Sequence, residues 1–154
     1  MSGEIAARLR ELGLELPPAP SPVANYVPYL IAGNLLFISG QISKAGDGTL
    51  LSGRVGDTLS IEDGIAAAKV CALNVLAQAQ AALGDLDRVA QVMRLTGFVN
   101  SGPDFTDHPK VINGASDLMV AVLGDKGRHT RAAVGVSGLP AGAAVEVDAI
   151  ISVK

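Results

Sequence analysis

The segment that most constrains the fold is an alanine-rich stretch over residues 60–84, which reads SIEDGIAAAKVCALNVLAQAQAALG. Its larger apolar residues recur at the three- and four-residue spacing of one helix face, and Ser60 followed three residues later by Asp63 resembles a capping box. Gly84 suits the left-handed position at which helices commonly end. We therefore predict one long helix whose small side chains allow close packing against a sheet.

Two strand-like runs precede this helix. Residues 25–33 and 35–43 alternate or cluster apolar residues, and the Gly33–Asn34 pair between them is a turn signal, so they read as a β-hairpin. Pro28 lies inside the first run and cannot donate to a neighbouring strand. The first strand is therefore expected at a sheet edge or at a bulge.

The remaining chain alternates between the two element types. Val89–Asn100 reads as a strand, residues 111–124 read as a second helix, and residues 130–138 and 143–153 read as two strands. The LPAG sequence at residues 139–142 predicts that these last two strands form a hairpin. The order ββ, α, β, α, ββ predicts an α+β fold with both long helices packed on one face of the sheet, which leaves the other face bare.

Few charged residues are available to cover such a bare face. Only 18% of the chain is charged, against about 25% in typical globular proteins. A second copy of the chain is the expected cover, because most soluble oligomers are homo-oligomers; an apolar ligand-binding patch is the alternative. The net charge is −3 and the basic residues are scattered, which argues against a nucleic-acid partner.

The N-terminal region carries a separate pattern. Residues 3–13 space their apolar side chains as an amphipathic helix with Ser2 as its expected N-cap, and residues 14–24 contain four prolines and read as an extended connector. We accordingly divide the chain into residues 1–21, a helix and connector, and residues 22–154, one domain. The sequence shows neither a signal-peptide pattern nor an 18-residue apolar span, so we expect a cytoplasmic protein without a membrane partner.

Two charges stand out in the apolar C-terminal strands. Glu146 alternates with valines and so faces away from the apolar row, while Arg131 shares a face with the small Ala133 and Gly135. Small neighbours leave room for a ligand, and a guanidinium can hold a carboxylate through two parallel hydrogen bonds. The alternative is a plain ion pair between Arg131 and Glu146. The predicted hairpin places Gly135 opposite Glu146 and Arg131 near Ile150, an offset of about 13 Å, which weakens that alternative.

The other reactive side chains suggest structural roles. Cys71 lies in the long predicted helix and reads as a small buried residue. His108 and His129 lie in loop-like sequence without a recognisable nucleophile partner and are expected at the surface. Because no metal-ligand spacing is present, we expect neither a metal nor another cofactor.

Two segments of the chain resemble the YjgF/RidA family of reactive-intermediate deaminases. AGNLLFISGQI at residues 32–42 is similar to the family's N-terminal hairpin, and TRAAVGVSGLPAGAAVEVDAI at residues 130–150 is similar to its C-terminal signature of an arginine, an LP pair and an acidic residue fifteen positions after the arginine. The helix sequence at residues 71–89 also fits. The resemblance covers residues 22–154.

Membership would imply a fold, an assembly and a reaction. The fold is the chorismate-mutase-like α+β fold of the bacillus type, and three copies form a central barrel with clefts between subunits. The reaction is hydrolysis of small enamines and imines, such as 2-aminoacrylate, to a 2-keto acid and ammonia, for which the family uses no metal.

The resemblance also assigns residues. Arg131 would bind the substrate carboxylate and Glu146 would position the attacking water. The other cleft residues that it implies are Tyr26, Asn113, Gly40 and Gln41.

Departures from the family pattern leave the substrate open. The N-terminal helix and connector are additional, Thr130 stands before the arginine where relatives often have PAR, and the second helix lacks the usual aromatic residues. Two other functions therefore remain: a trimeric protein that binds small carboxylates without turnover, and an endoribonuclease or translation inhibitor, which the acidic composition disfavours.

Overall fold

The chain folds around one mixed sheet. The structure is a computed structural model that describes residues 2–22 and 24–154. Its helices are α1 (Glu4–Glu11), α2 (Ile61–Leu83) and α3 (His108–Leu123), and its strands are β1 (Tyr29–Ala32), β2 (Leu35–Ile42), β3 (Val89–Asn100), β4 (Thr130–Val136) and β5 (Val145–Val153). The strand order is β1-β2-β5-β3-β4, with β3 and β4 parallel and the other pairs antiparallel. The predicted α+β class is confirmed.

The long helix α2 begins and ends as its sequence predicts. The Ser60 hydroxyl accepts from the Asp63 amide at 3.1 Å and the Asp63 carboxylate accepts from the Ser60 amide at 3.0 Å, which completes the capping box. Gly84 ends the helix with φ 76°. By length and mean hydropathy α2 could also cross a membrane, yet 56% of its most apolar window is buried in this fold. It is the central core helix, with Ala68, Ala72 and Val75 fully buried.

Both α2 and α3 pack on one face of the sheet, as predicted. Alternate residues of the central strand β5 point to that face, and Val145, Val147 and Ile151 are fully buried there. The opposite face carries exposed apolar side chains, among them Leu30 and Phe37, which are paired across β1 and β2, and Val134 on β4. The sheet therefore has one covered and one open face.

The predicted C-terminal hairpin is wrong. β4 and β5 are not neighbours, because β3 lies between them and pairs with both. The helix α3 crosses over the sheet and returns β4 parallel to β3, as a helical crossover does. The following residues 137–144 pass over the end of β3, where the Ser101 amide donates to Val136 O and the Asn100 amide donates to Ala144 O. The register expected from the hairpin is wrong as well, since Gly135 pairs with Val99.

The N-terminal helix is attached to the body through an acidic side chain. The N-cap of α1 is Gly3 rather than the predicted Ser2, and the Asp87 carboxylate accepts from the Glu4 and Ile5 amides, each at 2.9 Å. A carboxylate at this position satisfies free helix N–H groups and interacts favourably with the helix dipole. These two hydrogen bonds also lower the pKa of Asp87. The buried side chains of Ile5 and Leu9 complete the attachment. Position 23 of the predicted connector lies outside the described residues.

Candidate functional site

The two charges selected from the sequence lie on opposite faces of the sheet. Arg131 is in register with Leu95 of β3, which is buried beneath the helices, so Arg131 lies on the helix face at the β4 edge. Glu146 alternates with the buried Val145 and Val147 on β5 and therefore lies on the open face. Because β3 separates them, one copy of the chain cannot bring both groups to one ligand. The described residues form ion pairs at Arg8–Glu11 and Arg128–Asp125, and the alternative of an Arg131–Glu146 pair is wrong.

The Arg131 guanidinium is held by helix α3. Its Nη1 donates to Asn113 Oδ1 at 2.8 Å and to Ser116 Oγ at 3.1 Å, and its Nη2 donates to the Pro109 carbonyl at 3.4 Å. The predicted partner Asn113 therefore belongs with Arg131, where it orients the arginine. We define Arg131, Asn113 and Ser116 as the arginine group.

These contacts leave one edge of the guanidinium available. Arginine has five N–H donors, and the three contacts with α3 use both on Nη1 and one on Nη2. Within the described part of the chain, Nε–H and the second Nη2–H have no acceptor. Because these two bonds run side by side, they match the two oxygens of a carboxylate.

His129 supports this arrangement from behind. Its Nδ1 donates to the Gly127 carbonyl at 2.6 Å, so in the neutral ring Nε2 is an acceptor and receives the Ser116 hydroxyl at 2.8 Å. The Ser116 oxygen is thereby turned to accept from Arg131. This proton placement is assigned from the hydrogen-bond network. The predicted surface role of His129 is wrong, because the side chain is partly buried and bonded at both nitrogens.

The sequence contained weak signals for these two residues. Ser116 lies three residues after Asn113 and so shares its helix face, and His129 lies two residues before Arg131 and so shares its side of the extended chain. Neither spacing distinguishes a polar support from an ordinary surface residue. The hydrogen bonds become apparent only once α3 lies against β4.

Glu146 lies in a large cleft. The cleft has a volume of about 910 Å³ and is lined by four of the predicted site residues, namely Tyr26, Gly40, Gln41 and Glu146. Gly40 leaves room for the Glu146 carboxylate, because a Cβ at position 40 would overlap it in its present position. The β2–β5 register shifts between Ile38 and Gln41, and such bulges are common next to functional sites. The structure thus brings four of the six predicted residues together and places Arg131 with Asn113 elsewhere.

Burial changes the acidity of Glu146. Desolvation in the cleft raises the pKa of its carboxyl, and the negative charge of Asp148 raises it further. A carboxylate with a raised pKa is a stronger base than an ordinary glutamate, which favours its taking a proton from a bound water.

The other candidate groups are structural. Cys71 is fully buried as predicted, and burial raises the pKa of its thiol. Ser101 Oγ lies 3.3 Å from His108 Nε2, but Ser101 is only 5% exposed and its hydroxyl donates to the Val99 carbonyl. The described residues contain no cluster of three or more His, Cys, Asp or Glu side chains suited to a metal ion.

Comparison with known proteins shows which family has this fold. The family model described as "YjgF/chorismate_mutase-like, putative endoribonuclease" matches residues 6–148. The Trypanosoma cruzi protein TCP17 is 52% identical over 154 residues, which are 99% of this chain and 96% of that protein. The Agrobacterium tumefaciens protein Atu1372, described as of unknown function, is 49% identical with a TM-score of 0.89 over 97% of this chain and 92% of that chain. A Shewanella oneidensis structure is 35% identical with a TM-score of 0.94 over 98% and 100%.

More distant chains share the fold. TdcF from Escherichia coli, crystallised with bound serine, is 23% identical with a TM-score of 0.64 over 88% of this chain and 93% of that chain. The chorismate-mutase-like architecture is therefore common to relatives whose sequences differ widely.

Proposed function

This chain belongs to the YjgF/RidA family, and from that membership we propose that it hydrolyses small 2-imino acids and their enamine tautomers in clefts between the subunits of a homotrimer. The observation that carries the proposal is the division of the site within one chain. Glu146 lies in an open cleft whose lining includes one cation, Lys44, and Arg131 lies at a sheet edge on the other face with a free donor pair. A site that uses both requires two copies.

The open face of the sheet supports the assembly. It carries exposed apolar side chains, including Leu30, Phe37 and Val134, and exposed apolar surface of this kind is typical of an interface. Burial of this face against neighbouring copies would also account for the low share of charged residues. A neighbour placed there would carry its β4 edge, and with it the arginine group, to the Glu146 cleft.

The chemistry needs only these groups. Arg131 of one subunit binds the substrate carboxylate, and the Glu146 carboxylate of another takes a proton from water while the water oxygen bonds to the imine carbon. Glu146 then returns this proton to nitrogen, which gives a carbinolamine. Glu146 next takes the proton of the new hydroxyl and passes it to nitrogen as the carbonyl forms and the carbon–nitrogen bond breaks, and the products are a 2-keto acid and ammonia. The imine carbon is already electrophilic, so positioning and modest proton transfer are sufficient.

Direct assay of the reaction tests the proposal. The imine of alanine is generated freshly, and formation of pyruvate and ammonia is followed with wild type, Arg131→Ala and Glu146→Gln. We expect acceleration over buffer with wild type only, and a trimer by light scattering. A wild-type rate equal to that of buffer contradicts the hydrolase proposal, and a monomer contradicts the intersubunit cleft.

One observation favours a second candidate function. TdcF contains bound serine, which has a carboxylate but no imine, so a relative binds an amino acid that cannot undergo this hydrolysis. A protein that binds small carboxylates without turnover would use Arg131 in the same way and would not need Glu146. Binding that survives Glu146→Gln, together with no turnover by wild type, would support it.

The endoribonuclease description of the family finds little support in this chain. The net charge is −3, and among the charged residues that line the cleft the carboxylates of Glu146 and Asp47 outnumber the single cation, Lys44. A polyanionic strand would meet negative charge there.

A further inference from the structure

The N-terminal connector forms one side of the Glu146 cleft. Residues 17–22, which read PPAPSP, all line it, and we call this segment the proline wall. We infer that the proline wall makes the cleft selective for 2-imino acids with a large apolar side chain over the three-carbon substrate. This inference rests on the proposed function for the identity of the reacting group.

The wall is fixed in place at both ends. Upstream, α1 is attached through Asp87 and its buried apolar side chains. Downstream, Gln78 of α2 donates its side-chain amide to the Pro20 carbonyl at 2.7 Å. Between them Pro17 packs closely on Gly46. Prolines also restrict the backbone of their neighbours, so the wall is a preformed surface.

The wall lies one side chain away from the reacting carboxyl. The amide of Gln78 that binds Pro20 also lies 3.4 Å from Gln41 Oε1. Gln41 follows Gly40, and a Cβ at Gly40 would meet the Glu146 side chain. Because Glu146, Gln41 and the proline wall line the same cleft, a ligand that reaches Glu146 can place its side chain on the wall.

The wall itself offers little to a polar side chain. Four of the six wall residues are prolines, which have no N–H. The neighbouring amides already have partners, since Asn74 donates to the Ile42 and Lys44 carbonyls and Gln78 donates to Pro20. The cleft lining also includes Lys44, Asp47 and Tyr26, but against the prolines a polar group gains no donor in return for its water, whereas an apolar group loses nothing there.

In a single copy of the chain the cleft has room for a large ligand as well as for the edge of a neighbouring copy. Its volume of about 910 Å³ lies near the upper end of the roughly 300–1,000 Å³ that ligand sites span. A three-carbon imino acid would leave most of the wall without contact. A branched or aromatic side chain would cover it.

The test compares the freshly generated imines of alanine, leucine and phenylalanine. We expect kcat/KM for the two larger substrates to exceed that for the alanine imine by about tenfold or more. Ala19→Trp fills the cleft from the exposed middle of the wall and should cost about tenfold on the larger substrates while leaving the smallest unchanged. Leu12→Trp is the matched control, because Leu12 is exposed between α1 and the proline wall and does not line the cleft. It should change kcat/KM for none of the three substrates.

A second variant removes the hydrogen bond that holds the proline wall and leaves the space in the cleft unfilled. Gln78→Met keeps the shape of the side chain but loses the donor to Pro20, and should flatten the preference among the three substrates. Equal kcat/KM across the wild-type series, or a parallel loss on all substrates in Ala19→Trp, would overturn the inference while the hydrolase proposal stands.

Unreactive 2-keto acids separate this inference from the proposed function. If no imine is turned over, the shift in melting temperature with pyruvate is compared with that produced by 4-methyl-2-oxopentanoate. A larger shift with the longer acid, lost in Ala19→Trp, would support the wall although the hydrolase proposal fails. Equal shifts in melting temperature with the two acids would overturn the inference about the proline wall as well.

Discussion

Arg131 and Glu146 are held in different ways within the same chain. The Arg131 guanidinium is fixed by three acceptors on α3 and presents a single free edge. Among the described residues the Glu146 carboxylate has no hydrogen-bond or ion-pair partner, and it lies in a cleft of about 910 Å³ next to Gly40. The guanidinium is therefore oriented by its neighbours, whereas the carboxylate is positioned only by its strand and by the walls of an open cleft.

The difference shows which side of the site carries which task. Binding a carboxylate through two parallel bonds depends on direction, and the contacts with α3 supply that direction. Proton transfer depends on acidity and on water, and partial burial with access to the cleft supplies both. Neither region is a site by itself, so the strongest tests combine the two.

Mixing two inactive variants should give the largest effect. Arg131→Ala and Glu146→Gln should each lose about a hundredfold or more in kcat/KM, since charge-assisted bonds are strong. In trimers reassembled from equal amounts of both, each cleft draws its arginine and its glutamate from different chains. About a quarter of the clefts then combine both wild-type groups.

The recovered rate is the measurement, with each parent taken through the same unfolding and reassembly as the control. Recovery of about a quarter of the wild-type rate follows from an intersubunit site of this symmetry. A mixture as inactive as its parents would contradict the division of the site between chains.

The close approach of Gly40 to Glu146 allows the position of Glu146 to be changed without changing the arginine group. In Gly40→Ala the new Cβ overlaps the carboxylate, so Glu146 must move. Because the carboxylate is the end of a flexible side chain, we expect little change in the free energy of unfolding but the loss of most of the activity. Gly102→Ala is the matched control, because nothing lies near its added Cβ. Both are measured by urea unfolding and by imine hydrolysis. Equal activity in the two variants would show that Glu146 does not need its present position.

The sequence predicted the local parts of this molecule well. The bounds of β3 and both ends of α2 follow from neighbouring residues, such as Ser60 with Asp63, whose hydrogen bonds do not depend on the rest of the fold. The prediction of a C-terminal hairpin was wrong because the strand order depends on where α3 crosses the sheet. The LPAG sequence is typical of a turn whether the two strands that it connects are neighbours or have β3 between them. The same limit applies to the site. Arg131 and Glu146 could be selected from residue type and family resemblance, but their separation onto two faces follows from the inserted strand β3.

Removal of a residue that supports Arg131 should reduce activity less than removal of Arg131 itself. Ser116→Ala deletes one of the acceptors of Nη1 and the link to His129, so the guanidinium loses part of its orientation, at a cost of about 1 kcal/mol or roughly fivefold. We expect this loss chiefly in KM, because Arg131 binds substrate and does not transfer protons. Ser116→Thr retains the hydroxyl and should restore binding. Asp117→Ala changes the exposed neighbouring residue on α3 as a control. A loss in kcat alone would show that Ser116 acts elsewhere.

The raised pKa of Glu146 should leave a small mark on stability. Because the folded state disfavours the ionised carboxyl, folding carries no penalty below the ordinary glutamate pKa of about 4.3, and the penalty grows as pH rises through the raised value. Glu146→Gln removes the ionisation, so its melting temperature should equal that of wild type near pH 4 and exceed it at neutral pH. Solvent access keeps the gain below about 1 kcal/mol.

The activity of wild type should depend on pH in the opposite direction, since a base must be ionised. Its kcat/KM should fall as pH drops through the pKa of Glu146. Asp148→Asn sharpens the test: removal of that negative charge lowers the pKa of Glu146, so the activity profile should move to lower pH. A profile unmoved by Asp148→Asn would mean that another group controls the proton transfer.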